Sequence, residues 1–166
     1  MTSRVQVVGA DEQAVNEIYR SHYAQLAGWA ARLLGDRDLA HDAATEAFVR
    51  LLAHWGTVEE PRAWLYTATG NIIRDHWRKR GREQTAYGKV GHQIEVAAEP
   101  DLARDITVRE AVRALPDRLR MAVMLHYFAD LTVAQVAAQL GKSEGAVKRE
   151  LWDARQRLAA ILEGAR

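Results

Sequence analysis

The stretch that decides the fold is Leu131 to Leu158, LTVAQVAAQLGKSEGAVKRELWDARQRL. Thr132 is a good N-cap, Val133, Val136, Ala137 and Leu140 form an apolar stripe at helical spacing, and Gly141 falls where a helix end favours positive φ. After the turn Gly141-Lys142-Ser143, Ser143 caps a second helix whose Val147, Leu151, Ala154 and Leu158 again share one side. Two short helices joined by a glycine-containing turn form a helix-turn-helix, whose second helix enters the DNA major groove. Opposite the stripe stand Gly145, Lys148, Arg149, Trp152 and Gln156, side chains suited to phosphates and base edges. The competing reading is an ordinary αα-hairpin with a solvated charged face.

Upstream of this motif the helical period continues. Asp11 to Leu34 repeats Val15, Ile18, Tyr19, Leu26, Trp29 and Leu33 and closes at Gly35. Asp38 is the expected cap of a helix carrying Leu39, Ala43, Ala47, Phe48, Leu51, Leu52 and Trp55, with Asp42, Glu46 and Arg50 on its other face. Pro61 opens a third helix with Trp64, Leu65, Ala68, Ile72 and Ile73, which ends in a run of bases. No alternating β-branched run occurs, so no strand is expected. Near Gly88, Gly91 and Pro100 the period breaks, and it resumes at Val108 to Leu115, stops at Pro116 and returns at Met121 to Phe128. The expected fold is all-α: two small helical domains joined by a flexible linker, the C-terminal one a four-helix helix-turn-helix domain. The boundaries are 11–84, a linker at 85–100, and 101–163. Neither half is large enough for a generous core alone.

With 48% hydrophobic and 27% charged residues the chain of 166 is an ordinary soluble composition, and the absence of cysteine excludes disulfides, thiolate metal sites and cysteine nucleophiles. No apolar run suits a membrane span, the first ten residues are too short and polar for a signal peptide, and a cytoplasmic location is expected. The net charge of +1 conceals asymmetry: Asp36 to Glu60 holds six acids against Arg37 and Arg50, while Arg74 to Lys89 holds six Lys and Arg against Asp75 and Glu83. One part suits a basic partner and another an anionic one. His41, Asp42 and Glu46 make a poor metal site, since no HExxH-type pairing or further histidine at ligand spacing completes it. No metal, cofactor or catalytic residue is expected.

Three ordered stretches resemble the extracytoplasmic-function sigma factors, two-domain subunits that direct bacterial RNA polymerase to promoters. Gly35 to Leu52, GDRDLAHDAATEAFVRLL, is similar to the acidic helix that docks on the polymerase clamp. Pro61 to Arg82, PRAWLYTATGNIIRDHWRKRGR, is similar to the helix that melts and reads the minus-ten element. Leu115 to Leu158, with LPDRLR, YFADLT and SEGAVKRELWDAR, is similar to the domain that reads the minus-thirty-five element. The departures concern promoter preference. Asp42-Ala43-Ala44-Thr45-Glu46 keeps the acids of the usual Asp-x-x-Gln-Glu and loses its amide. Thr69-Gly70-Asn71 replaces Ala-Arg-Asn and puts glycine inside a helix at about 1 kcal/mol. Gly145 to Asp153 replaces the common Gly-Thr-Val-Lys-Ser-Arg-Leu-x-Arg and brings in Glu150 and Asp153.

The resemblance implies core RNA polymerase, at the clamp of its largest subunits, and promoter DNA as partners of a chain that is monomeric when free. It allows an anti-sigma protein as a third, although no residue identifies one. Polymerase binding falls to Asp42, Glu46 and Arg50. The minus-ten strand falls to Asn71, Arg74, Trp77, Arg78, Lys79, Arg80 and Arg82, where the bases track the backbone, Trp77 or Trp55 offers a platform for an unstacked base, and Asn71 meets a base edge. Ser143, Gly145, Lys148, Arg149, Trp152, Asp153 and Gln156 face the upstream element. Asp153 has two readings, a solvated ion pair with Arg157 or an acceptor for a cytosine amino group; Glu150 lies nearer the core edge. Trp64 is assigned to the core. The alternative function is a stand-alone helix-turn-helix regulator on an operator, but no dimerisation surface or effector domain is left over for it. An enzyme lacks support, with no cysteine, nucleophile elbow or phosphate loop.

Overall fold

The structure, a computed structural model, describes residues 10–86 and 108–164. Every regular element among them is helical. Helix α1 (Ala10–Leu34) turns at Gly35, which adopts φ 70°, into α2 (Arg37–Ala53). The cap of α2 is Asp36 rather than Asp38: its carboxylate accepts from the Asp38 and Leu39 amides at 2.9 and 3.1 Å. Two acids two residues apart serve a periodicity equally well, and the left-handed glycine sets which one stands at the first free amides. The two helices run antiparallel, since Tyr23 meets His41 while the earlier Tyr19 meets the later Phe48. Ala40, Ala43, Ala44 and Ala47 line the buried side of α2, where small side chains give α1 room to approach.

A 3-10 turn (Trp55–Thr57) leads to α3 (Pro61–Ala86), 26 residues long and so about 39 Å. It extends past residue 84, the expected end of the first domain; the rest of the expected linker, from residue 87, lies outside the described residues. In the C-terminal half, α4 (108–113) and α5 (Asp117–Val123) flank Pro116. A π turn (Met124–Phe128) follows directly, and it ends where the Leu131 amide donates to the Leu125 carbonyl at 3.0 Å and Asp130 takes φ 57°. Such a turn adds one residue to the helical ring, a shift that hydrophobic spacing hides.

Helix α6 (Val133–Leu140) has the expected Thr132 cap as a full capping box with Gln135, and Gly141 closes it at φ 63°. Helix α7 (Glu144–Gly164) begins at Ser143, whose hydroxyl accepts from the Ala146 amide at 3.1 Å.

The core is continuous across both halves. Leu26, Trp29, Leu51, Leu65 and Ile73 belong to the same buried cluster as Val112, Leu119, Met121, Val136 and Leu151. Trp29 packs edge-on to Tyr66 at 5.1 Å, and Trp64 is partly buried against the cluster. The join is polar as well: the Arg62 guanidinium donates to the Ala129 carbonyl at 2.8 Å, and Arg78 of α3 pairs with Asp117 of α5. Two small cores have merged into one, as the surface-to-volume cost of small domains favours.

Candidate nucleic-acid interface

Helix α7 turns Val147, Leu151 and Ala154 inward and leaves Ser143, Gly145, Lys148, Arg149, Trp152 and Gln156 exposed. The indole of Trp152 is 56% exposed, which its size makes costly without a partner. The two acids do not join this face. Glu150 is buried, and its carboxylate accepts from the Lys142 ammonium at 2.7 Å across the turn. Asp153 is half-buried, and its ion pair is with Arg118 of α5 at 3.8 Å, in place of the expected Arg157. The spacing rule for ion pairs along one helix cannot see a cation on a neighbouring helix. Arg155 donates to the Tyr127 hydroxyl at 2.7 Å and ties α7 to the π turn.

On α3 the expected residues divide. Lys79, Arg80 and Arg82 are exposed, Asn71 and Arg74 are half-buried, and Arg78, itself exposed, is engaged by Asp117 and by Asp75 at 3.9 Å. Trp77 is 5% exposed, and the Arg120 guanidinium lies 5.5 Å from its ring centre. In this arrangement its ring is not available as a platform, and Trp55 is half-buried. Arg120 in turn pairs with Asp117 and donates to the Arg113 carbonyl at 3.3 Å. The pair Asp117 and Arg120 carries no signal in the sequence, because only a contact between distant elements gives it a role.

Bases also crowd the far end of α3. Burial first, then Arg80 and Arg113, hold His76 below its ordinary pKa against the opposing pull of Asp36 and Glu83. Arg113 is lowered by burial and then by Arg80 and Arg109. Such a cluster favours anions nearby.

On α2, Asp42 and Glu46 are exposed one turn apart, and Glu46 pairs with Arg50 at 2.5 Å, with both side chains half exposed. Val49 and Leu52, at 60% and 55% exposure, extend this surface with apolar area, although the helical period places Leu52 on the inward face. No cluster of three metal-ligating side chains occurs among the described residues, and none of their helices is long and apolar enough to cross a membrane.

Residues 18–83 match the Sigma-70 region 2 family and residues 106–158 the Sigma-70 region 4 family. The chain is 30% identical to the ECF RNA polymerase sigma factor SigL of Mycobacterium tuberculosis, over 97% of this chain and 96% of that one. It is 29% identical to the ECF RNA polymerase sigma factor BldN of Streptomyces coelicolor over 91% of its length, but spans 58% of that relative. In fold it is similar to the sigma factor RpoE of Bartonella quintana, solved in complex with the anti-sigma factor NepR, with a TM-score of 0.68 at 24% identity over 93% of this chain and 99% of that one.

Proposed function

We propose, for a chain that belongs to the extracytoplasmic-function (ECF) family of RNA polymerase sigma factors, that it binds core RNA polymerase through α2 and places α3 and α7 on promoter DNA. The family rests on the end-to-end relative from M. tuberculosis and on the two sigma-70 regions in order. The observation that carries the site assignment is α7. A helix set by two capped turns leaves two bases, an indole and an amide on one exposed face, the donor and apolar groups that major-groove readout uses.

Lys148 and Arg149 meet phosphates and base edges of the upstream element, Trp152 adds apolar contact, and Ser143, Gly145 and Gln156 complete the surface. Asp153, held by Arg118, sets the approach of α7. Lys79, Arg80 and Arg82 track the opened minus-ten strand, with Asn71, Arg74, Trp77 and Arg78 beside them. Asp42, Glu46 and Arg50 dock on the polymerase clamp, with Val49 and Leu52 as its apolar margin. The chain has no chemistry of its own and works in the cytoplasm, where polymerase is. The fold neighbour RpoE of Bartonella quintana was solved with the anti-sigma factor NepR, and such a protein is a fitting regulator here.

Reconstituted transcription tests this reading. With core polymerase the chain should support specific initiation from a promoter recovered from a randomised pool. The double change Asp42→Lys, Glu46→Lys should abolish co-purification with core polymerase and leave the helical spectrum intact. An unchanged yield of complex would remove α2 from the dock.

A further inference from the structure

Beside the base-rich end of α3 an open cavity of about 320 Å³ lies against the first turn of α2, lined by Leu39, His76, Lys79, Arg80 and Glu83. Its volume is that of the smaller ligand sites. Lys79 and Arg80 are exposed at successive positions of α3, and among the described residues neither is in an ion pair. His76, one turn before Arg80, is half-buried, as is Leu39 on the α2 side, and Glu83 adds one carboxylate. Arg113 of α4 brings its charge to the same end of α3: after burial, Arg80 and Arg113 are what lower the proton affinity of His76, against Asp36 and Glu83. Like charges gathered in this way repel one another in the free chain and are relieved by an anion.

The minus-ten strand accounts for only part of this cavity. A DNA backbone uses the exposed bases Lys79, Arg80 and Arg82. It has no use for a half-buried imidazole, an apolar wall or a carboxylate, which repels phosphate. Those groups suit a small molecule with chemically distinct ends. We propose that the cavity binds a small phosphomonoester bearing hydroxyl groups, with its phosphate on Lys79 and Arg80, a hydroxyl donating to the Glu83 carboxylate, and its carbon frame against Leu39. His76 then faces the phosphate and donates to it when protonated. Binding of this ligand goes beyond the promoter reading, whereas its consequence rests on that reading: the phosphate occupies Lys79 and Arg80, so ligand and minus-ten strand compete.

Titration calorimetry of the full chain at fixed ionic strength tests this, with ribose 5-phosphate, inorganic phosphate, ribose and a short single-stranded oligonucleotide as probes. Ribose 5-phosphate should saturate one site and bind about tenfold more tightly than inorganic phosphate, through the hydroxyl held by a charged group, and ribose alone should not bind. Glu83→Gln takes an acid out of a cationic site, so it should tighten inorganic phosphate and shrink the preference for ribose 5-phosphate; a nonspecific cation patch would tighten both alike. Leu39→Glu, an acid well placed in a helix first turn, should weaken ribose 5-phosphate at least tenfold. The His76 ring signals should titrate at higher pH with ribose 5-phosphate bound, because the phosphate joins Asp36 and Glu83 in opposing Arg80 and Arg113. Saturating ribose 5-phosphate should also weaken the oligonucleotide. If ribose 5-phosphate binds no more tightly than inorganic phosphate, or Glu83→Gln shifts the two together, the proposed ligand class is overturned and the DNA reading of α3 stands or falls on the oligonucleotide alone. If ribose 5-phosphate binds as described and the oligonucleotide does not, the site stands and that reading falls. If both bind without competing, the shared use of Lys79 and Arg80 is overturned.

Discussion

Glu150 carries the sharpest difference between charge counted on a helix and charge in place. Its carboxylate is buried, one oxygen receives Lys142 at 2.7 Å, and the other has no hydrogen-bond partner. The pair bridges the turn of the helix-turn-helix, from Lys142 in the turn to Glu150 within α7, and so fixes the angle at which α7 leaves. Breaking a fully buried pair costs about 3 to 5 kcal/mol, but the Lys142 side chain is 32% exposed and can recover water. Glu150→Ala should therefore lower stability by about 1 to 2 kcal/mol in urea unfolding. A loss below the scatter of surface mutations would mean that the pair is solvated in solution. Helical spacing places Glu150 at the core edge; its partner, eight residues back across a turn, has no local signal.

At the scale of elements, the features legible in sequence are those fixed by neighbours within four residues. Thr132, Gly141, Ser143 and Pro61 each stand at the cap or first-turn position their chemistry prescribes. What periodicity misses is non-local or one residue wide. The π turn at Met124–Phe128 shifts the helical ring by a single residue, and the Asp36 cap depends on the φ of Gly35. Trp77, a platform by its place in the motif, is covered by α5 from the other half, and Gly70, a cost by helix propensity, makes room for that same helix. The capping box is the element-scale feature with the clearest energetic consequence, because both halves of it are made: Gln135 N to Thr132 Oγ1 at 3.1 Å and Thr132 N to Gln135 Oε1 at 2.9 Å. Helix α6 is only eight residues long and cannot persist on propensity alone. Thr132→Ala should cost about 1 kcal/mol by urea unfolding, with weaker upstream-element binding because α6 supports α7. Full retention of both would show that packing alone sets the motif.

Across the whole molecule, the merged core makes the join between halves a site of pH sensitivity. His76 lies near that join on α3, facing Arg80 on its own helix, Arg113 on α4, and the acids Asp36 and Glu83. Burial and the two arginines keep its proton affinity below the ordinary value near 6.5, and His22, lowered by burial and by Arg62, is similar. A histidine whose folded pKa is depressed binds fewer protons folded than unfolded. Its contribution is therefore complete above about pH 6.5 and is lost as pH falls toward the folded value. The urea midpoint should fall between pH 7 and pH 5, more steeply than in a His76→Gln variant. Because part of the shift comes from Arg80 and Arg113, added salt should shallow the slope, while the part due to burial should remain. If His76→Gln and wild type titrate in parallel, the cation cluster does not act on folding through His76, and the pH response comes from other groups, His22 among them.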